Sequence, residues 1–119
     1  MRHEVLYLND IVEAADHIAG FIREVDFGTF EESELLRSAV VQKLTVIGEA
    51  AARVSDDLKG RHPEVPWQQI VAFRNILVHA YFGMEWEIVW RAAAHRCPGL
   101  RLQIAAIAAA ITEGESGGV

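Results

Sequence analysis

The sequence predicts an all-α chain, folded as an antiparallel four-helix bundle whose last helix is kinked or broken. Apolar residues recur three and four positions apart along most of its 119 residues, the period of helices that bury one face. No segment shows sustained period-two alternation with β-branched residues, the mark of a half-buried strand. Gly60, Pro63 and Pro66 cut the middle of the chain, and Pro98 cuts its last third, where helices stop or bend.

The first helix is expected over residues 3–25. Val5, Leu8, Ile11, Ala15 and Ile18 form its apolar stripe, and Glu4, Asp10, Glu13 and Asp16 take other faces. Gly28 and Thr29 read as a turn followed by an N-cap. The second helix follows from about Glu31 to Leu58, with Leu36, Val40, Leu44, Ile47, Ala51 and Val54 at helical spacing. Gly60 and the two prolines end it. Pro66 suits the first position of a third helix, where its missing N–H costs nothing. That helix covers roughly 66–81, with Ile70, Phe73, Leu77 and Val78 facing inward, and Gly83 ends it. A fourth starts near Glu85 with Trp86, Val89, Trp90 and Ala93 on one side. Beyond Pro98 a last helical piece spans about 99–112, and 113–119 reads as a flexible tail. Residues 1–112 are thus one domain, of a size that supports a single core.

Composition narrows the function classes. Cys97 is the only cysteine, so no intrachain disulfide forms, in agreement with a reducing cytoplasm. The start lacks a signal-peptide pattern, and the uncharged run 102–112 is far shorter than the roughly 20 residues that span a bilayer. A soluble, cytoplasmic protein is expected. The net charge of −6 is uneven. Residues 1–52 carry four Lys/Arg against ten Asp/Glu, a net of −6, whereas 53–101 carry seven against five, a net of +2. Acidity overall opposes long-range attraction of nucleic acid, but a local cationic site in the second half is allowed.

That half contains the stretch AFRNILVHAYFG, residues 72–83. Arg74, Asn75, His79 and Tyr81 interrupt an otherwise apolar helix, which needs none of them to bury itself. At 100° per residue, Asn75 and His79 share a face, whereas Arg74 and His79 lie about 140° apart. They cannot stack directly, yet both can meet one ligand. A guanidinium fork suits phosphate, and an imidazole exchanges protons near neutral pH. Together they could cleave RNA without a metal. Histidine would deprotonate the ribose 2′-hydroxyl, and arginine would stabilise charge on the phosphorus oxygens. Cleavage also needs an acid for the leaving oxygen, and a twofold dimer would supply a second histidine. The structural alternative is an arginine and a histidine that merely cap and hydrogen-bond a half-buried helix.

RNILVHAY, residues 74–81, resembles the Arg-x4-His-x-Tyr motif of HepT-like toxins in the HEPN superfamily. IGEAAARVS at 47–55, HPEVPWQQI at 62–70 and YFGMEWEIVW at 81–90 resemble further blocks of that family in the same order, so the likeness runs from about residue 3 to 111. Gly48-Glu49-Ala50, Pro66-Trp67 and Trp90 make the match more specific than the bare motif. The resemblance implies an all-α, HEPN-like bundle that forms a homodimer, with the motif in an interface cleft. It implies a metal-independent endoribonuclease, the toxin of a type VII-like toxin–antitoxin pair, with no cofactor. Its antitoxin would be an MntA-type minimal nucleotidyltransferase that attaches AMP to the motif tyrosine. Carried onto this chain, Arg74 and His79 are the catalytic pair and Tyr81 the AMPylation target. Asn75 would orient the arginine or the substrate. Glu49 would pair with Arg74 or hold the His79 tautomer, or else be a plain surface glutamate.

Other candidates are weaker. His95 and Cys97 are two apart and point to different faces of a helix, so a metal pair is not expected. His3, His17 and His62 read as surface or cap residues. Trp67, Trp86 and Trp90 could stack on bases, but Trp86 and Trp90 share a face and read as core or dimer packing. A second function class stays open: a non-catalytic helical module that docks a nucleotidyltransferase or a nucleotide. RNA cleavage in EDTA separates the two.

Overall fold

The computed structural model describes residues 2–79 and 83–117. Its elements are α1 (Arg2–Phe21), α2 (Phe27–Glu32), α3 (Glu34–Arg53), α4 (Asp56–Arg61), α5 (Trp67–His79), α6 (Trp86–Arg91), a π-helical turn (Ala92–Arg96) and α7 (Cys97–Gly117). No strand occurs among the described residues. The predicted all-α bundle is present: α1, α3, α5 and the continuous α6–α7 rod are its four long members, and α2 and α4 are short inserts.

α1 lies between α3 and α7, and α5 packs on the other side of α3. Glu4, at the start of α1, accepts from the Ser55 N–H (3.1 Å) and hydroxyl (2.9 Å), just past the end of α3. Asp16, late in α1, accepts from Arg101 Nε, early in α7, at 2.9 Å. Both pairings require α1 to run antiparallel to its neighbours. The core forms where the apolar stripes meet: Leu8, Ile11 and Ile18 of α1, Val40, Leu44, Ile47 and Ala51 of α3, Leu77 of α5, Val89, and Ile104 and Ile107 of α7.

Local signals set boundaries that periodicity alone misplaced. α1 stops at Phe21, short of residue 25, and Glu24 takes a left-handed φ of 58° as the chain turns. Gly28 and Thr29 are not a turn; they lie inside α2. Its N-cap is Asp26, whose carboxylate accepts from the Thr29 N–H at 2.8 Å. The long second helix is divided. Ser33 ends α2 and caps α3, accepting from Leu36 N, and Ser55 caps α4, accepting from Leu58 N. Each serine hydroxyl accepts from an N–H that the new helix start leaves without an intrahelical partner. Gly60 sits within α4, and the stop comes at His62, the C-cap. Pro66 precedes α5, its carbonyl accepting the first helical bond from Ile70 N at 3.1 Å.

The irregularity expected near Pro98 takes the form of the π-helical turn just before it, where Cys97 N–H reaches back to Ala92 O. An α-helical ladder would press the proline ring against a carbonyl one turn earlier. Widening the ladder by one residue accommodates the ring without breaking the rod. α7 then continues to Gly117, past the expected end at 112.

Candidate active site

α5 carries the site, and its sequence explains how it is held. Trp67 is buried and donates its indole N–H to His62 O at 3.0 Å, which anchors the helix start. Leu77 is buried, and Ile70 and Phe73 pack against the core. Val78, expected inward, is instead 50 % exposed. Its neighbour Leu77, about 100° round the helix, takes the buried position instead.

Arg74 sits where α3 and α5 cross. Its stem lies against Gly48 of α3, so closely that a Cβ built on Gly48 would overlap the Arg74 Cβ and lie 2.7 Å from its Cγ. Its Nε is fully enclosed and has no hydrogen-bond partner among the described residues. Leaving such a donor unmade costs about 1–3 kcal/mol, so packing of the stem outweighs the lost bond. Among the described residues no ion pair joins Arg74 to Glu49, which is exposed on α3.

His79, in the last turn of α5, is exposed, as is Asn75 one turn before it. Asn75 lines a shallow cleft with Asp56, Lys59, Pro63 and Gln68. Because α5 is regular through His79, the about 140° between Arg74 and His79 holds in the fold. The arginine is clamped towards α3, and the histidine looks outward on the Asn75 face. Within one chain the two are separate groups, not a hydrogen-bonded pair. Tyr81 lies outside the described residues.

The remaining candidates resolve as packing. Trp90 and Trp86 enclose Phe30, with ring centroids 5.2 and 6.2 Å away, and Arg37 lies 5.1 Å over the Trp86 ring. Cys97 is buried, and that burial pushes its thiol up to about 11. Among the described residues no three His, Cys, Asp or Glu side chains converge as a metal set. No helix among them is long and apolar enough to cross a membrane.

Two features escaped the sequence reading. One is the role of Gly48, which the sequence signalled only as a glycine inside a strong helical pattern and within a block resembling the HepT-like family. The other is an apolar groove between α3, α5 and the α6–α7 rod, lined by Ile47, Ile70, Phe73, Ile88 and Leu100, with Arg91 and Arg96 at its edge. Its walls come from segments far apart in the chain, so no local pattern announced it.

The all-α bundle is of the HEPN-like kind. Residues 11–107 match the family described as Ribonuclease HepT-like, and the chain belongs to that family. It is 38% identical over 95 residues to a Thermococcus cleftensis protein named "Probable ribonuclease HepT", covering 80% of this chain and 86% of that one. It is 33% identical over 98 residues to a Methanocaldococcus jannaschii protein named "Putative RNase MJ1380", covering 82% and 90%. No solved structure matches the chain.

Proposed function

We propose that this protein is a toxin of a type VII-like toxin–antitoxin pair, an endoribonuclease that cuts RNA without a metal. His79 takes the proton of a ribose 2′-hydroxyl, and the resulting oxygen attacks the adjacent phosphorus. Arg74 neutralises charge on the phosphorus oxygens, and the 5′-oxygen leaves with a proton from a second imidazole. The products are a 2′,3′-cyclic phosphate and a 5′-hydroxyl. Proton transfer of this kind contributes about 10²–10⁴ in rate, and a preorganised cationic donor about 3–4 kcal/mol. The observation that carries the reading is an exposed His79 on the same short helix as a packing-clamped Arg74, in a chain of the HepT-like ribonuclease family.

The acid and the base come from two copies. One chain has a single histidine on α5, and Arg74 lies on a different face of that helix. Pairing is supported by exposed apolar side chains close to the site, Ile76 and Val78 of α5, and by Ile88 and Leu102 beside the groove. Asn75, one turn before His79 and on the same face, positions the substrate. Exposed and without an ion pair to Arg74 among the described residues, Glu49 is read as a surface glutamate. An MntA-type nucleotidyltransferase silences the toxin by transferring AMP to Tyr81, which puts a bulky anion two residues from His79.

The test is cleavage of RNA by purified protein in EDTA. Arg74→Ala and His79→Ala are expected to lose at least about 10²-fold in rate with helical circular dichroism intact. Unchanged cleavage in both variants rules out this site. Absence of any cleavage alongside a stable complex with the nucleotidyltransferase favours the binding module instead. Co-expression with that enzyme should add the mass of one AMP, and Tyr81→Phe should abolish the gain.

A further inference from the structure

We infer that Gly48 is a positioning residue for the Arg74 guanidinium, because the crossing of α3 and α5 is built on its missing side chain. The inference rests on Arg74 as the phosphate-stabilising group. Gly48 is buried inside α3, where glycine is a poor helix former, and no described glycine has a positive φ. Conformational freedom therefore does not explain it; proximity does. A Cβ at position 48 would overlap the Arg74 Cβ and stand 2.7 Å from its Cγ and 3.4 Å from its Cα. The Cα and Cβ are fixed by the backbone, so no rotamer change relieves the overlap with Cβ. α5 would have to retreat from α3 by about an ångström to restore contact distances. Gly20, Gly60, Gly83 and Gly99 have nothing within 4 Å of such a Cβ, so the close approach is particular to this crossing.

The enclosed Arg74 Nε is the second observation. A stem free to choose its rotamer would turn that N–H towards an acceptor or water. It does not, because the crossing dictates its path. The guanidinium thus has a set direction before substrate arrives, while His79, on an exposed face of the same helix, is not itself part of the close contact at Gly48. Adding a methyl group at position 48 moves the charge-stabilising group and leaves the acid–base group chemically intact.

The experiment has two arms. In RNA cleavage, Gly48→Ala is expected to lower kcat by about 10²-fold, as for a misplacement of about 1 Å, with KM little changed. Val40→Ala, a core cavity two turns earlier in α3, should keep wild-type kcat at a temperature where both variants are folded. In thermal unfolding, Gly48→Ala should lower the midpoint of the wild-type chain but not that of Arg74→Gly, which lacks both atoms that would be overlapped. If Gly48→Ala alone fails to fold, the double variant should fold. Wild-type kcat in Gly48→Ala, an equal loss in Val40→Ala, or the same drop in midpoint in both backgrounds would overturn the inference. A wild-type protein that cleaves no RNA instead refutes the role of Arg74, and the unfolding arm alone then judges the lock.

Discussion

At the scale of single residues, neighbouring side chains on one helix meet different physics. Arg74 is clamped by α3 to the point that its Nε forgoes a partner, whereas His79, five residues on, is exposed. Their angular separation was legible from the helical period. The enclosure of Nε was not, because it depends on an absent side chain on another helix. Cys97 makes a complementary case. Burial raises its thiol to about 11, so at pH 8 almost no reactive thiolate exists in the folded state. Iodoacetamide at that pH should leave the native protein unlabelled by mass spectrometry and should label it in denaturant. Rapid native labelling would show that the π-helical segment opens readily.

At the scale of elements, short polar side chains decide where helices begin. Ser55 is the most connected of these: its hydroxyl accepts from Leu58 N at 3.1 Å and donates to the buried Glu4 carboxylate at 2.9 Å. Ser55→Ala uncaps α4 and deprives Glu4 of a donor. A loss of about 1–3 kcal/mol in urea unfolding is expected. The cap of α2 is exposed and pH-dependent. The Thr29 backbone N–H, and then its hydroxyl, hold the Asp26 carboxyl below its ordinary 3.8. Because the folded value is depressed, its contribution is complete above the unfolded value and fades as pH falls through the folded one. The stability difference between wild type and Asp26→Asn should therefore shrink below about pH 4. A difference that stays constant from pH 7 down to 3 would show that the charge is not what matters.

At the scale of the molecule, the unclosed surface is the informative part. Ile88 is 47 % and Leu102 67 % exposed beside the groove, and Ile76 and Val78 are exposed at the end of α5. Exposed apolar side chains of this kind suit a partner, and the proposed acid–base division requires a second copy. Ile88→Asp should shift the protein from dimer to monomer in light scattering and reduce RNA cleavage together, with helicity unchanged. A monomeric wild type that cleaves RNA would separate catalysis from dimerisation.

What the sequence determined alone was whatever repeats along the chain. The 3.6-residue period marked four long rods and most of the buried stripe, from Leu8 and Ile11 to Ile104 and Ile107, and placed Arg74 and His79 on one helix. Hydrogen bonding at Ser33 and Ser55 then cut the second rod where periodicity ran on unbroken. Only the tertiary structure decided that Gly48 receives Arg74, that Val78 falls outside the core, and that α3, α5 and α7 leave a groove between them. The reason is one of range. A helix is specified by neighbours three and four residues away, whereas a crossing distance is set by side chains distant in sequence, and nothing in either segment alone states it.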